Sequence, residues 1–288
     1  MFGGAITALV TPFRNGAVDL DALNGLVNWQ IEKGIDGLLA CGCTGEAATL
    51  TTEEQLLVIR KVMEAAGGRV PVIAGSGTNA TASSIELSLE AAAMGVDAVL
   101  LITPYYNKPT PKGQIEHYTR VADAVDCPVI LYNVPGRTGT NILPATIAVL
   151  SRHPRIVAIK DAAGSAERVT AIRNLCDITI LSGDDPLAMA QVALGGSGVI
   201  SVVSNIAPSE MSDIISLTVA GELDAARTIQ SRLYPVIKAM FLETNPIPVK
   251  KALSLMGLIT DELRLPLVSM SGELVPELKG VLEEAGIL

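Results

Sequence analysis

Lys160 ends a short apolar run, in the stretch RIVAIKDAAG at residues 155–164, directly before an aspartate. Apolar surroundings disfavour the charged form of an amine, so a lysine held there has a lowered pKa, and a neutral amine is a nucleophile. Towards a carbonyl compound such an amine gives a Schiff base, an electron sink for making or breaking a carbon–carbon bond. The plainer reading is a lysine whose ammonium snorkels from a strand end into solvent.

Three further residues bear on that choice. In GCTGE, residues 42–46, the Thr44 hydroxyl and backbone N–H groups at the start of a helix, with Gly45 permitting close approach, suit a carboxylate. An ordinary glycine-containing turn would look the same. Tyr132 can pass protons without carrying a formal charge, although most tyrosines are core aromatics with a satisfied hydroxyl. Arg137, five residues on in a Pro/Gly loop, suits a second carboxylate, with a surface arginine as the bland alternative.

What must position them is written in the apolar runs. AITALV, GLLACG, PVIAGSG, AVLLITP, PVILYNVP, IVAIKD, ITILSGD and GVISVVS are nearly continuous rather than alternating, as parallel strands buried on both faces require. Each is followed by turn residues and a helix-like segment such as TTEEQLLVIRKVMEAAGG, where Thr51 or Thr52 can cap and Gly67 and Gly68 can close. Strand and helix alternating in this way predict an α/β fold, a (β/α)₈ TIM barrel over residues 1–221. Residues 222–288 read as about three helices, a small C-terminal appendage. In such a barrel the C-terminal strand ends line one mouth, so Lys160, Tyr132, Arg137, the GCTGE turn, SGDD and Ile200 are expected to converge.

Bulk properties narrow the function class. The 288 residues are 49% hydrophobic and carry a formal charge of −9, without the basic footprint of a nucleic-acid binder. Four cysteines lack CxxC spacing and two histidines lack a zinc-site context, so neither a disulfide framework nor a metal is expected. No apolar run reaches membrane-span length, and MFGGAITALVTPF has no basic region before its apolar residues; a soluble, cytoplasmic protein is expected.

GCTGE, TPYYNKP, YNVPGRTG, AIKDAAG, LSGDD, GGSGVISVVSN and NPIPVKKAL together closely resemble the dihydrodipicolinate synthase family, a match that runs from Phe2 to the C-terminus. The resemblance implies a lyase that condenses pyruvate with L-aspartate 4-semialdehyde in lysine biosynthesis, by the diaminopimelate route. It implies that Lys160 forms the Schiff base, so no separate cofactor is called for, and that Tyr132 exchanges protons beside it. Thr44 would bind the pyruvate carboxylate, Gly183 and the Ile200 backbone would shape the pocket, and Arg137 would receive the carboxylate of the aldehyde. Tyr106 would reach into a neighbouring subunit's site, making a dimer the minimal unit, and a homotetramer of paired dimers the expected assembly.

The chain departs from the family in two places. Where the family has a threonine or serine hydroxyl between its two tyrosines, this chain has Cys43, a weaker donor and acceptor. Members inhibited by lysine carry a glutamate and histidines at positions occupied here by Ser83, Thr52 and Gln55, while Asn79 and Tyr105 are kept. Two alternatives stand beside the synthase. A sister aldolase acting on N-acetylneuraminate or a 2-keto-3-deoxy sugar acid would share the lysine and tyrosine, and a non-catalytic relative would bind a 2-oxo acid without turnover.

Overall fold

A computed structural model describes residues 2–288. The eight apolar runs form eight parallel strands: β1 (Gly4–Ala8), β2 (Gly37–Ala40), β3 (Val72–Gly75), β4 (Ala98–Ile102), β5 (Val129–Asn133), β6 (Ile156–Asp161), β7 (Thr179–Ser182) and β8 (Gly198–Ser201). They pair in chain order and β8 pairs back onto β1, closing the barrel. Closure leaves no strand edge unpaired, and the helices between the strands cover the outer face, which is why the runs are apolar on both sides.

Between the strands lie α1 (Leu20–Glu32), α2 (Thr52–Ala66), α3 (Thr81–Ala93), α4 (Pro111–Ala124), a single turn α5 (Pro135–Thr138), α6 (Pro144–Leu150), α7 (Glu167–Arg173) and α8 (Ala188–Ala193), with α9 (Pro208–Val219) after β8. The expected signals at α2 operate: Thr51 accepts from Glu54 N–H in a reciprocal capping box, and Gly67 ends the helix at φ 55°. The GCTGE turn, in contrast, does not open a helix. It leads into one 3₁₀ turn at Ala47–Thr49, and α2 begins only at Thr52.

Two inner layers result. Ile6, Leu39, Leu100, Ile130, Ala158, Leu181 and Ile200 fill the barrel interior, while a larger cluster lies between strands and helices. One irregularity matters for chemistry. Val129 pairs with Ile156 but Ile130 pairs with Ala158, so β6 carries an extra residue and Tyr132 comes opposite Lys160. Without that bulge Tyr132 would face Ile159, and Lys160 would turn towards the outer layer.

Beyond α9 the chain adds α10 (Leu223–Ala239), α11 (Ile247–Leu255) and α12 (Val275–Glu284). α10 lies along α9 and against α12, while α11 reaches the turn Val203–Asn205 that follows β8. The C-terminal segment is thereby brought to the barrel mouth. Among the described residues no helix is long and apolar enough to cross a membrane.

Candidate active site

Lys160 and Tyr132 are neighbours because β5 and β6 pair in that register, and Lys160 Nζ lies 4.4 Å from the centroid of the Tyr132 ring. Lys160 is 6% exposed. Burial brings its pKa down to about 8, against weaker opposing pulls from Cys43 first and then from the carboxylates of Asp185 and Asp184. The Tyr132 hydroxyl is pushed well above the ordinary phenol value, first by burial and then by the adjoining Cys43. A phenol so hard to ionise would give up a proton only while receiving another, which suits one station of a relay.

Gly183 shows why glycine follows β7. A Cβ there would meet the Ala162 Cβ at 2.7 Å and the Lys160 Cε at 3.1 Å, so any larger residue would displace the lysine stem. Ile200 is buried in the barrel interior, level with Ile6 of β1. Asp185 is buried, its Oδ2 accepting from the N–H groups of Val202 and Val203, both at 3.0 Å, which ties the end of β7 to the end of β8. Burial raises its pKa.

Above these residues opens a cavity of about 340 Å³ whose wall includes Cys43, Tyr132, Arg137, Asn245 and Tyr105. Lys160 and Thr44 are not part of that wall but touch it, Lys160 through the Tyr132 ring and Thr44 through Asn245. Thr44 is buried, and its Oγ1 accepts from Asn245 Nδ2 at 3.0 Å. That bond has a directional consequence. With a lone pair of Oγ1 occupied, the hydroxyl hydrogen is free to donate, as an anion requires. Within the turn, the N–H groups of Gly45, Glu46 and Ala47 are engaged with Cys43 and Gly42 carbonyls. A carboxylate cradle in this turn would therefore rest on the Thr44 hydroxyl and on N–H groups ahead of Gly45.

Arg137 sits in the α5 turn, where its Nη2 donates to the Asn245 carbonyl at 3.2 Å. Asn245 thus touches both candidate carboxylate sites, a role the sequence reading did not assign to it. Its Oδ1 is buried and has no hydrogen-bond partner. The one signal for it was its place at the head of the NPIPVKKAL motif. Tyr106 does not join the cavity of its own chain; it is 91% exposed, at φ 70°. Among the described residues no group of three or more His, Cys, Asp or Glu side chains could hold a metal ion.

A model of the dihydrodipicolinate synthetase family matches residues 1–285. A 4-hydroxy-tetrahydrodipicolinate synthase of Trichlorobacter lovleyi is 51% identical over 286 residues, covering 99% of each chain. The enzyme of that name from Geobacter sulfurreducens is likewise 51% identical over 286 residues, covering 99% of each. Among solved structures, the chloride-inhibited dihydrodipicolinate synthase of Acinetobacter baumannii complexed with pyruvate superposes with a TM-score of 0.98 at 44% identity, over 100% of both chains.

Proposed function

The chain belongs to the dihydrodipicolinate synthetase family and is an enzyme of the lyase class, and from that premise we propose the following course of reaction. Lys160 Nζ attacks the carbonyl carbon of pyruvate and water leaves, giving an iminium. Loss of a methyl proton yields an enamine whose carbon attacks the aldehyde of L-aspartate 4-semialdehyde, and the new alkoxide takes up a proton. The substrate's own amine then displaces Lys160, closing the ring of 4-hydroxy-tetrahydrodipicolinate and freeing the enzyme. Tyr132 carries the protons, Thr44 holds the pyruvate carboxylate, Gly183 and Ile200 shape the pocket, and Arg137 receives the carboxylate of the aldehyde. The imine is itself the electron sink, so the chemistry calls for no further cofactor.

The observation that carries this reading is the buried, unpaired Lys160 amine with its pKa brought down to about 8, stacked beside Tyr132 at the barrel mouth. Arg137 at the cavity wall favours an aldehyde bearing a carboxylate over a polyol, which would call for several hydroxyl and amide partners. The deciding experiment offers purified enzyme pyruvate with aspartate semialdehyde and, separately, N-acetylneuraminate and 2-keto-3-deoxygluconate. Turnover confined to the first pair supports the synthase. Cleavage of either sugar acid at a higher kcat/KM would move the assignment to a sister aldolase.

The exposed Tyr106 supports a dimer in which this side chain enters the partner's site, with two such dimers forming a tetramer. Cys43, at the cavity wall beside Tyr132, would then stand in the relay between Tyr132 and the incoming Tyr106. Cys43→Thr, which supplies a hydroxyl, is expected to leave or raise kcat. A fall beyond about tenfold, ~1.4 kcal/mol of barrier, would give the thiol a positive part in proton transfer.

Lysine should inhibit weakly or not at all. Ser83 is exposed and supplies no carboxylate for a ligand ammonium, and the Gln55 amide is already engaged with the Ala47 carbonyl at 2.8 Å. Loss of one charge-assisted hydrogen bond weakens binding by about 1.5–3 kcal/mol, one to two decades in affinity. Initial rates at saturating pyruvate with sub-millimolar lysine check this, and strong partial inhibition there would refute it.

A further inference from the structure

A second buried lysine, unused by the reaction, lies in the C-terminal segment. Lys250, in α11, is 0% exposed, and its Nζ donates to Glu46 Oε1 at 2.6 Å and to the Thr11 carbonyl at 2.9 Å, 4.3 Å from the Phe13 ring centroid. Glu46 Oε2 accepts the Arg264 N–H at 3.2 Å, and Thr11 Oγ1 donates to the Gly45 carbonyl at 2.7 Å. Glu46 itself closes the GCTGE turn at φ 54°, a conformation a non-glycine residue keeps only when its surroundings hold it there. These bonds join the turn carrying Cys43 and Thr44 to the segment carrying Asn245. Asn245 in turn bonds the Thr44 hydroxyl and Arg137.

Stability alone is a poor reason for such a pair. Desolvating two charges consumes most of their attraction, and apolar residues of similar volume hold a core as well or better. A buried ion pair can instead be retained because its fixed geometry sets the register of the two segments it joins. We propose that Glu46 and Lys250 are positioning residues, whose ion pair sets the GCTGE turn against the Asn245 segment so that the Thr44 hydroxyl and Arg137 face the two substrate carboxylates. This deepens the Schiff-base reading and rests on it.

The test uses full-length wild type, Lys250→Met, Glu46→Gln and, as a control, Lys251→Met, which removes a partly exposed ion pair of the same helix, Lys251 with Asp261 at 2.8 Å. Two quantities are measured: the pyruvate concentration giving half-maximal borohydride trapping, and the thermal midpoint. Lys250→Met and Glu46→Gln should raise that concentration about tenfold or more, ~1.4 kcal/mol, whereas Lys251→Met should leave it in place. Lowered thermal midpoints with unchanged pyruvate dependence would reduce the pair to a structural one and overturn the proposal. If Lys250→Met does not fold, the nearly isosteric Glu46→Gln decides alone, and failure of both to fold also overturns it. Wild type that is not trapped at all removes the Schiff-base reading and this proposal with it. Trapped wild type with unshifted variants removes this proposal only.

Discussion

Lys160→Ala is expected to gain no pyruvate adduct under borohydride and to lose kcat by about 10⁴-fold or more, since removal of a covalent nucleophile leaves only binding and orientation. The wild-type enzyme supplies a second reading of the same group. Its pKa is depressed to about 8, so below that pH most of the amine is protonated, and the imine-forming fraction falls about tenfold per pH unit. The rate of trapping should therefore climb with pH and level off above about 8, rather than near the ordinary lysine value. Mass analysis after reduction, run across pH 6–10, measures both. Undiminished labelling of Lys160→Ala would end the assignment, and a rise continuing through pH 10 would show an amine that burial does not perturb.

Tyr132→Phe should cost kcat about 10²–10⁴-fold, the usual range for a positioned acid–base group, while the adduct still forms, more slowly. Phenylalanine keeps the ring over Lys160 Nζ, 4.4 Å away, so the lysine stays desolvated and only the proton path is cut. Because the hydroxyl pKa is raised well above the phenol value, its loss should add no break to the pH profile near neutrality. Steady-state kinetics with both substrates give the result. A kcat within threefold of wild type would place the proton carrier elsewhere.

Much of this arrangement could be read before any fold was known. Continuous apolar runs at even spacing are a direct consequence of strands buried on both faces, and all eight form strands of one closed barrel. Lys160 stood out for a physical reason, an amine at the end of an apolar strand, and the structure keeps it buried there. The GCTGE turn was misjudged in one respect. Glycine and threonine after a strand suggested a helix start, yet Glu46 takes a left-handed conformation and delays the helix to Thr52. Local sequence does not reveal that, because the bonds holding Glu46 come from Lys250 and Arg264, about two hundred residues away.

By itself, then, the sequence determined the barrel and the set of strand ends on which partners could lie, and it singled out Lys160 as the candidate amine, since all three follow from periodicity and from the free energy of burying one charged group. The tertiary structure decided which groups meet. A one-residue bulge after Ile156 brings Lys160 opposite Tyr132, and no alternation pattern marks it, because both faces of that strand are apolar. Asn245 reaches Thr44 and Arg137 only because α11 folds back over the mouth. Lys250 is a similar case. On the stripe of α11 shared with Ile247 and Leu253 it falls at a buried position, but the carboxylate that makes its burial tolerable lies at the other end of the chain, and only packing brings the two charges together.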